Sequence, residues 1–371
     1  MRIGVLGGGQ LGRMLALAGI PMGLRFGFLD PSPDACAADC GRLVTGALDD
    51  PAALDRLREA GGLITYEWEG VPAGAVRHLE AGGATVRPGA ASLEVAQDRL
   101  VEKTTFARLG IPTPAFHPVA GRPDLEAAAG ELGLPMVVKT RRGGYDGKGQ
   151  VVVGDRGDLD DAWARLGPAG PLIAEAFVPF DRELSVLAVR AADGALRCWP
   201  IPENRHAGGI LRVSLAPAPD LPPALAAAAV AAVTTVAEAL DHVGVLCLEL
   251  FALGDGILAN ELAPRVHNSG HWTIEGAVTS QFANHLRAVC GWPLGDVAAR
   301  GHAVMLNCIG SLPDPEAVLA VPGASLHRYG KQPRPGRKVG HVTVIADDPA
   351  TLAARAEALW PLVDGLPGDG L

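Results

Sequence analysis

Lysine is scarce in this 371-residue chain: five residues, against 27 arginines once they are subtracted from the 32 bases. A compact ammonium is kept at Lys103, Lys139, Lys148, Lys331 and Lys338, positions where it can do what a guanidinium cannot. The six cysteines (Cys36, Cys40, Cys198, Cys247, Cys290, Cys308) form no CxxC pair and no Cys/His cluster at zinc spacing. A disulfide scaffold and a structural zinc site are therefore excluded, and a cytoplasmic, reducing setting is expected. A long apolar run is also missing. The most apolar stretch, Leu221 to Leu240, is mainly alanine and carries Glu238, so it predicts a soluble helix and no membrane partner. The opening MRIGVLGGGQ meets glycines where an export signal needs its apolar stretch. Positive charge is in deficit, 32 bases against 41 acids for a net −9, which disfavours nucleic acid as a partner.

Apolar material and glycine are plentiful. Hydrophobic residues make up 48% and mean hydropathy is +0.21, enough for packed cores, and the length points to two or three domains. The 48 glycines and 30 prolines are spread without a fibrous period and predict many loops. Strands at 2–7, 24–30, 62–66 and 84–87 alternate with helical stretches at 11–18 and 51–60, the pattern of a parallel sheet covered on both faces. A second unit opens near IPTPAFHPV, with strands at 135–140 and 149–153 and a further strand, LIAEAFV. A strand-rich run (183–201), an alanine-rich helix (223–240) and paired strands (244–253, 257–262) follow. Composition shifts again near Pro293, before strands near 302–309 and 340–346 and a helix at 350–360.

Two glycine loops carry the first chemical signals. Gly7-Gly8-Gly9-Gln10-Leu11-Gly12 matches G-x-G-x-x-G between a strand and a helix, and Asp30 ends the next strand. Backbone N–H groups and a helix N-terminus would face a phosphate there, which leaves an NAD-dependent dehydrogenase open beside other phosphate or sugar ligands. The second loop, Lys139 to Gln150 (KTRRGGYDGKGQ), sets four glycines, two lysines and two arginines between strands without forming a Walker A motif. It suits a polyphosphate; a solvated basic hairpin is the alternative.

Acids supply the third signal. Glu249 in LCLEL and Asn260-Glu261 on the neighbouring strand place carboxylates on apolar strands, which is costly unless they are paired or hold a cation. Oxygen donors suit Mg²⁺, which bridges carboxylates and nucleotide phosphates; salt-bridged core acids are the alternative. Glu175-Ala176-Phe177-Val178, followed by Glu183, can offer backbone groups to an adenine edge and a carboxylate to ribose hydroxyls.

Together these features resemble the ATP-grasp superfamily and, within it, the family of 5-(carboxyamino)imidazole ribonucleotide synthases. The resemblance rests on GGGQLGRM, TYEWEGVP (65–72), QDRLVEK (97–103), KTRRGGYDGKGQ (139–150), ENRHAGGILR (203–212), NELAPRVHNSGHWT (260–273) and YGKQPRPGRKVGH (329–341). Gly70 stands where the family pattern has asparagine, and Arg205 and Ala207 flank His206 where other residues are usual.

The resemblance implies an α/β ATP-grasp fold in three parts. A Rossmann-like pre-ATP-grasp domain with a parallel sheet spans 1–97, an ATP-grasp domain 98–292 with a mobile part near 112–178, and a small β-rich domain 293–371. It implies carboxylation of aminoimidazole ribonucleotide with ATP and bicarbonate, through carboxyphosphate, by a cytoplasmic homodimer; a formate-dependent ribonucleotide transformylase is the alternative within the superfamily. The same resemblance implies ATP binding by Arg99, Lys139, Gly144, Tyr145, Asp146, Gly147, Lys148, Gly149, Gln150, Glu175, Ala176, Phe177, Val178, Glu183, His206, Asn260 and Glu261. Glu249, Glu261 and Asn268 would hold Mg²⁺. Arg265 and His267 would meet bicarbonate and carboxyphosphate, and Asp146 would orient the substrate amine. Gln10, Leu11, Glu69, Lys331, Arg337 and Lys338 would grip the ribonucleotide, with Lys331 also among the catalytic groups.

Overall fold

The computed structural model describes residues 1–144 and 147–367. The N-terminal alternation of strand and helix becomes a five-stranded parallel sheet of order β3-β2-β1-β4-β5, from β1 (Arg2–Leu6), β2 (Arg25–Asp30), β3 (Arg42–Thr45), β4 (Leu63–Tyr66) and β5 (Thr85–Val86). Its strands are apolar on both faces because both faces are covered: Ile3, Val5 and Phe28 enter one core, Leu6, Leu29 and Ile64 another. Strand order reverses at β1, so a crevice opens beyond the carboxyl ends of β1 and β4. The first glycine loop and the segment Glu67–Glu69 lie there.

A four-stranded antiparallel sheet follows, of order β6-β9-β7-β8, from β6 (Phe116–Val119), β7 (Met136–Thr140), β8 (Gln150–Val153) and β9 (Leu172–Ala176). Alternation along β7 decides what each residue meets: Met136 and Val138 pack under two helices, while Val137 and Lys139 face a cleft.

The third sheet has nine strands: β10 (Arg182–Arg190), β11 (Leu196–Cys198), β12 (Glu203–Ala207), β13 (Ile210–Ala216), β14 (Gly244–Leu253), β15 (Gly256–Ala263), β16 (His302–Ile309), β17 (Ala324–Arg328) and β18 (Lys338–Ala346). The order is β15-β14-β10-β12-β13-β16-β18-β17, with β11 paired to β10. The C-terminal strands β16–β18 thus extend the central sheet, joined through β13 and β16. The alanine-rich stretch forms the helix Pro223–Ala239, whose Ala229, Val233 and Val236 pack on Val186, Leu248 and Leu250. Among the described residues, no helix is long and apolar enough to cross a membrane.

Candidate functional site

The second and third sheets, with the carboxyl edge of the first, bound a cleft of about 1040 Å³. The first glycine loop reaches it in an unexpected way. Gly8 N donates to Asp30 Oδ2 at 2.7 Å, and Gly9 N and Gly12 N donate to the two oxygens of Glu67 at 2.6 and 2.8 Å. Glycine is required here: a Cβ on Gly9 would sit 2.5 Å from Glu67 Oε1, and one on Gly7, at φ +99°, 2.6 Å from Glu67 Cγ. The N-terminus of the helix Gln10–Gly19 favours an anion, and the protein supplies that anion itself. The fingerprint reading, in which these N–H groups meet a phosphate, is thereby corrected, and Asp30 is turned onto the loop. Burial raises the Glu67 pKa, against the pull of the Gly12 and Gly9 N–H groups and of Lys331. What the loop offers the cleft is Gln10 and Leu11, with Lys331 Nζ donating to Gln10 Oε1.

The second loop is gathered by the helix Arg99–Arg108. Arg99 donates to the carbonyls of Thr140 (2.9 Å), Gly143 (2.7 Å) and Gly144 (3.1 Å), and to Glu261 Oε1 at 3.4 Å. Asp98 caps that helix and takes Arg141 through both oxygens, at 2.9 and 2.7 Å, and Arg142 at 3.2 Å. Reading all four cations of the loop as charge for a polyphosphate is corrected accordingly: Arg141 and Arg142 are both paired with Asp98. Lys139 faces the cleft and donates to Glu175 Oε2 at 3.1 Å. Gly144, Gly147, Lys148 and Gln150 line the cleft; Gly149, at φ +78°, instead turns the hairpin, its carbonyl accepting from Thr140 N at 2.9 Å. Tyr145 and Asp146 lie outside the described residues.

On the facing sheet, Glu249 of β14 and Glu261 of β15 are direct cross-strand partners. Burial would raise Glu249, but the hydrogen bond and charge of His267, with His206 and Lys338, hold it below the ordinary carboxylate range. Glu261 is raised by burial and by Glu249, against Arg99. His267, 3.2 Å from Glu249, is raised in turn, against burial, by Cys247 and Glu249. Asn268 lines the cleft with both side-chain polar atoms buried and unpartnered, and Asn260 Oδ1 is buried and unpartnered beside Glu261. Two carboxylates and unsatisfied amide oxygens, without a soft ligand among them, are a donor set that fits Mg²⁺ shared with phosphates.

The remaining expected residues fall in the same cleft. Ala176, Phe177 and Val178 continue from Glu175, and Glu183 accepts from His206 at 2.8 Å. Arg265 pairs with Glu69, so Arg265 and His267 present their side chains to the cleft while Val266 between them is buried. Lys331, Arg337 and Lys338 line the same cleft, with Lys331 beside Gln10. Sequence reasoning singled out neither Glu67 nor Trp68 individually, although both stand inside TYEWEGVP. Phe180 and Phe251, stacked 4.7 Å apart at the cleft, had no local signal, since the pair forms only when β10 and β14 meet. Lys103 was noted only for its scarcity. It is buried, with Nζ 3.3 Å from Glu175 Oε2 and bonded to the carbonyls of Ala259 and Asn260 at 3.1 and 2.8 Å.

The ATP-grasp domain family matches residues 104–282, the ribonucleotide synthetase preATP-grasp domain 1–97, and the phosphoribosylaminoimidazole carboxylase C-terminal domain 303–355. An N5-carboxyaminoimidazole ribonucleotide synthase of Pseudomonas aeruginosa is 51% identical over 98% of this chain and 100% of its own length. The chain belongs to the N5-carboxyaminoimidazole ribonucleotide synthase family. The crystal structure of such a synthetase from Thermus thermophilus superposes with a TM-score of 0.94 at 56% identity, covering 98% of this chain and 99% of that one. A synthase of this family from Aspergillus clavatus, solved with ADP and 5-aminoimidazole ribonucleotide, superposes with a TM-score of 0.89 at 31% identity over 97% of each chain.

Proposed function

We propose that the chain carboxylates the exocyclic amine of 5-aminoimidazole ribonucleotide with ATP and bicarbonate, releasing ADP and phosphate, in purine biosynthesis. The observation that carries this reading is the opposition, in one cleft, of the Glu249–Glu261 pair to Lys139 and Glu175, with Gln10, Glu69 and Lys331 in the same lining.

Bicarbonate is a poor electrophile because hydroxide leaves badly. Transfer of the terminal phosphoryl group to a bicarbonate oxygen gives carboxyphosphate, from which phosphate leaves readily. The amine nitrogen then bonds the carbon, directly or after CO₂ is released within the cleft, and loses a proton. Lys139 and Arg99 stand where they would neutralise phosphate charge, and Phe177 to Val178 would receive the adenine edge with Glu183 at the ribose. Arg265 and His267 would hold the bicarbonate, their charge matched by Glu69 and Glu249. Positioning, neutralisation and exclusion of water are the work assigned to these residues. Mg²⁺, held by Glu249, Glu261 and Asn268, would supply charge neutralisation at the phosphates. Lys331, Arg337 and Lys338 would take the ribonucleotide phosphate, a role that the Glu67-filled glycine loop leaves to them. Asp146 would orient the amine.

Cytoplasmic action and a homodimer belong to the same proposal, the first supported by six free cysteines and the second by the family resemblance. Residues 1–97, 98–292 and 293–371 would act as its three domains, with 112–178 closing over the nucleotide. The test is coupled ADP release from purified protein. Release that requires aminoimidazole ribonucleotide and bicarbonate is expected. Release that requires formate and glycinamide ribonucleotide would replace the reading with the transformylase, against which the synthase relatives weigh.

A further inference from the structure

A strand that buries one face repeats with period two, and β15 breaks that period. Ile257 and Ala259 point into the core beneath the helix Pro223–Ala239, yet the next residue in that core is Leu262, not Glu261. The pairing with β14 shows the cause: Glu249 faces Glu261 while Leu250 faces Ala259, so Asn260 is an extra residue, a bulge. Strict alternation would have driven the Glu261 carboxylate into the apolar core and turned Asn260 out alone. With the bulge, Asn260 and Glu261 both line the cleft.

A bulge on an edge strand needs something to hold it, and β15 is the edge of its sheet. Two consecutive residues of the helix Arg99–Arg108 grip the backbone on either side. Glu102 Oε1 accepts from Leu262 N at 2.6 Å, just after the bulge. Lys103 Nζ donates to the carbonyls of Ala259 and Asn260, just before and at it. Thr113 Oγ1 adds a bond to the Ala259 carbonyl at 2.9 Å, and Ala259 N donates to Pro112 O at 2.7 Å. Both side chains are buried, Glu102 1% and Lys103 0% exposed. Lys103 also reaches Glu175 Oε2 at 3.3 Å, the oxygen that takes Lys139, and so ties the bulge of the third sheet to the cleft face of the second.

We propose that Glu102 and Lys103 are positioning residues that hold the Asn260 bulge, so that Asn260 and Glu261 stand side by side toward the metal–nucleotide. The inference rests on the ATP-dependent reading above and adds two residues that do not line the cleft. Groups that orient metal ligands typically change affinity 10- to 100-fold when removed.

The test is calorimetric binding of ADP at graded Mg²⁺ to the full chain and to Lys103→Met, Glu102→Leu and Glu102→Gln. Lys103→Met and Glu102→Leu are expected to weaken Mg·ADP binding by about 10- to 100-fold and to raise the Mg²⁺ needed for half-saturation, with ribonucleotide affinity unchanged. Glu102→Gln, which keeps an acceptor for Leu262 N, is expected to restore it. A role in stability alone would lower the thermal midpoint and leave the Mg²⁺ dependence of the folded variants as in the parent; that result overturns the proposal. Hydrogen exchange on the parent chain carries the test if those variants do not fold. The Leu262 amide is expected to be protected like interior ladder amides, and rapid exchange there overturns the clamp. A parent chain that fails to bind Mg·ADP overturns the functional reading itself, whereas parent binding with unaltered variants overturns the clamp alone.

Discussion

Gly70 carries no side chain, and the indole of Trp68 lies where one would be: a Cβ there would sit 2.4 Å from Trp68 Cζ2. The departure from asparagine at this position is therefore matched by the placement of an aromatic ring that lines the cleft and is 47% exposed. Gly70→Asn should displace the ring, shifting intrinsic fluorescence and raising KM for the ribonucleotide several-fold with Mg·ADP affinity unchanged. Unaltered fluorescence and KM would show that the indole has no part in the substrate end. At this scale much was legible. Lys139, Glu175 and Glu249 stand at strand positions where apolar alternation leaves a charged residue facing one way. Partners from far along the chain were not legible: nothing near Arg141 or Arg142 announces Asp98, more than forty residues earlier, as the acid that pairs with them.

At the scale of elements, the helix Gln10–Gly19 begins without a side-chain cap of its own and is served by Glu67 from beyond β4. Glu67→Ala would strand the Gly9 and Gly12 N–H groups; at about 1–3 kcal/mol for each buried orphan, a loss of about 2–6 kcal/mol is expected. Glu67→Gln, with one acceptor left, should lose less. Denaturant unfolding of the two variants measures this, and equal stability of Glu67→Ala and the parent would refute the capping role. The strand–helix–strand outline was readable because its period and glycines are local. The meaning of the first glycine loop was not, because G-x-G-x-x-G specifies a turn that accepts an anion without saying whether ligand or protein provides it. The Asn260 bulge did leave a trace, the slip from Ile257 and Ala259 to Leu262, visible once a strand is placed there.

For the whole molecule, two buried histidines join the N-terminal part to the central sheet. His242 accepts from Ser92 Oγ at 2.9 Å and donates to Val245 O at 3.1 Å; His285 accepts from Val245 N at 3.1 Å and donates to Thr65 Oγ1 at 2.8 Å. Burial lowers His242 to about 4, with Arg190 assisting and the Val245 carbonyl opposing, and burial with His242 lowers His285 to about 3. Both are neutral in the fold and bind a proton near pH 6.5 when unfolded, so their contribution is complete above pH 6.5 and is lost as pH falls toward 4 and 3. Each should remove about 2 kcal/mol by pH 5. Thermal midpoints should therefore fall across this window, and more gently in His285→Asn; an identical slope in the variant would contradict the assignment.

The three family regions were legible from their motifs, whereas the continuity of β16–β18 with the central sheet was not, because strand pairing between β13 and β16 spans some ninety residues. The central claim concerns where the nucleotide lies in this assembly. A crystal structure of the protein with Mg²⁺ and a non-hydrolysable ATP analogue tests it most directly. The account predicts the metal between Glu249 and Glu261, with the phosphates beside Lys139 and Arg99. A triphosphate seated on the first glycine loop, with Glu67 displaced, would contradict it.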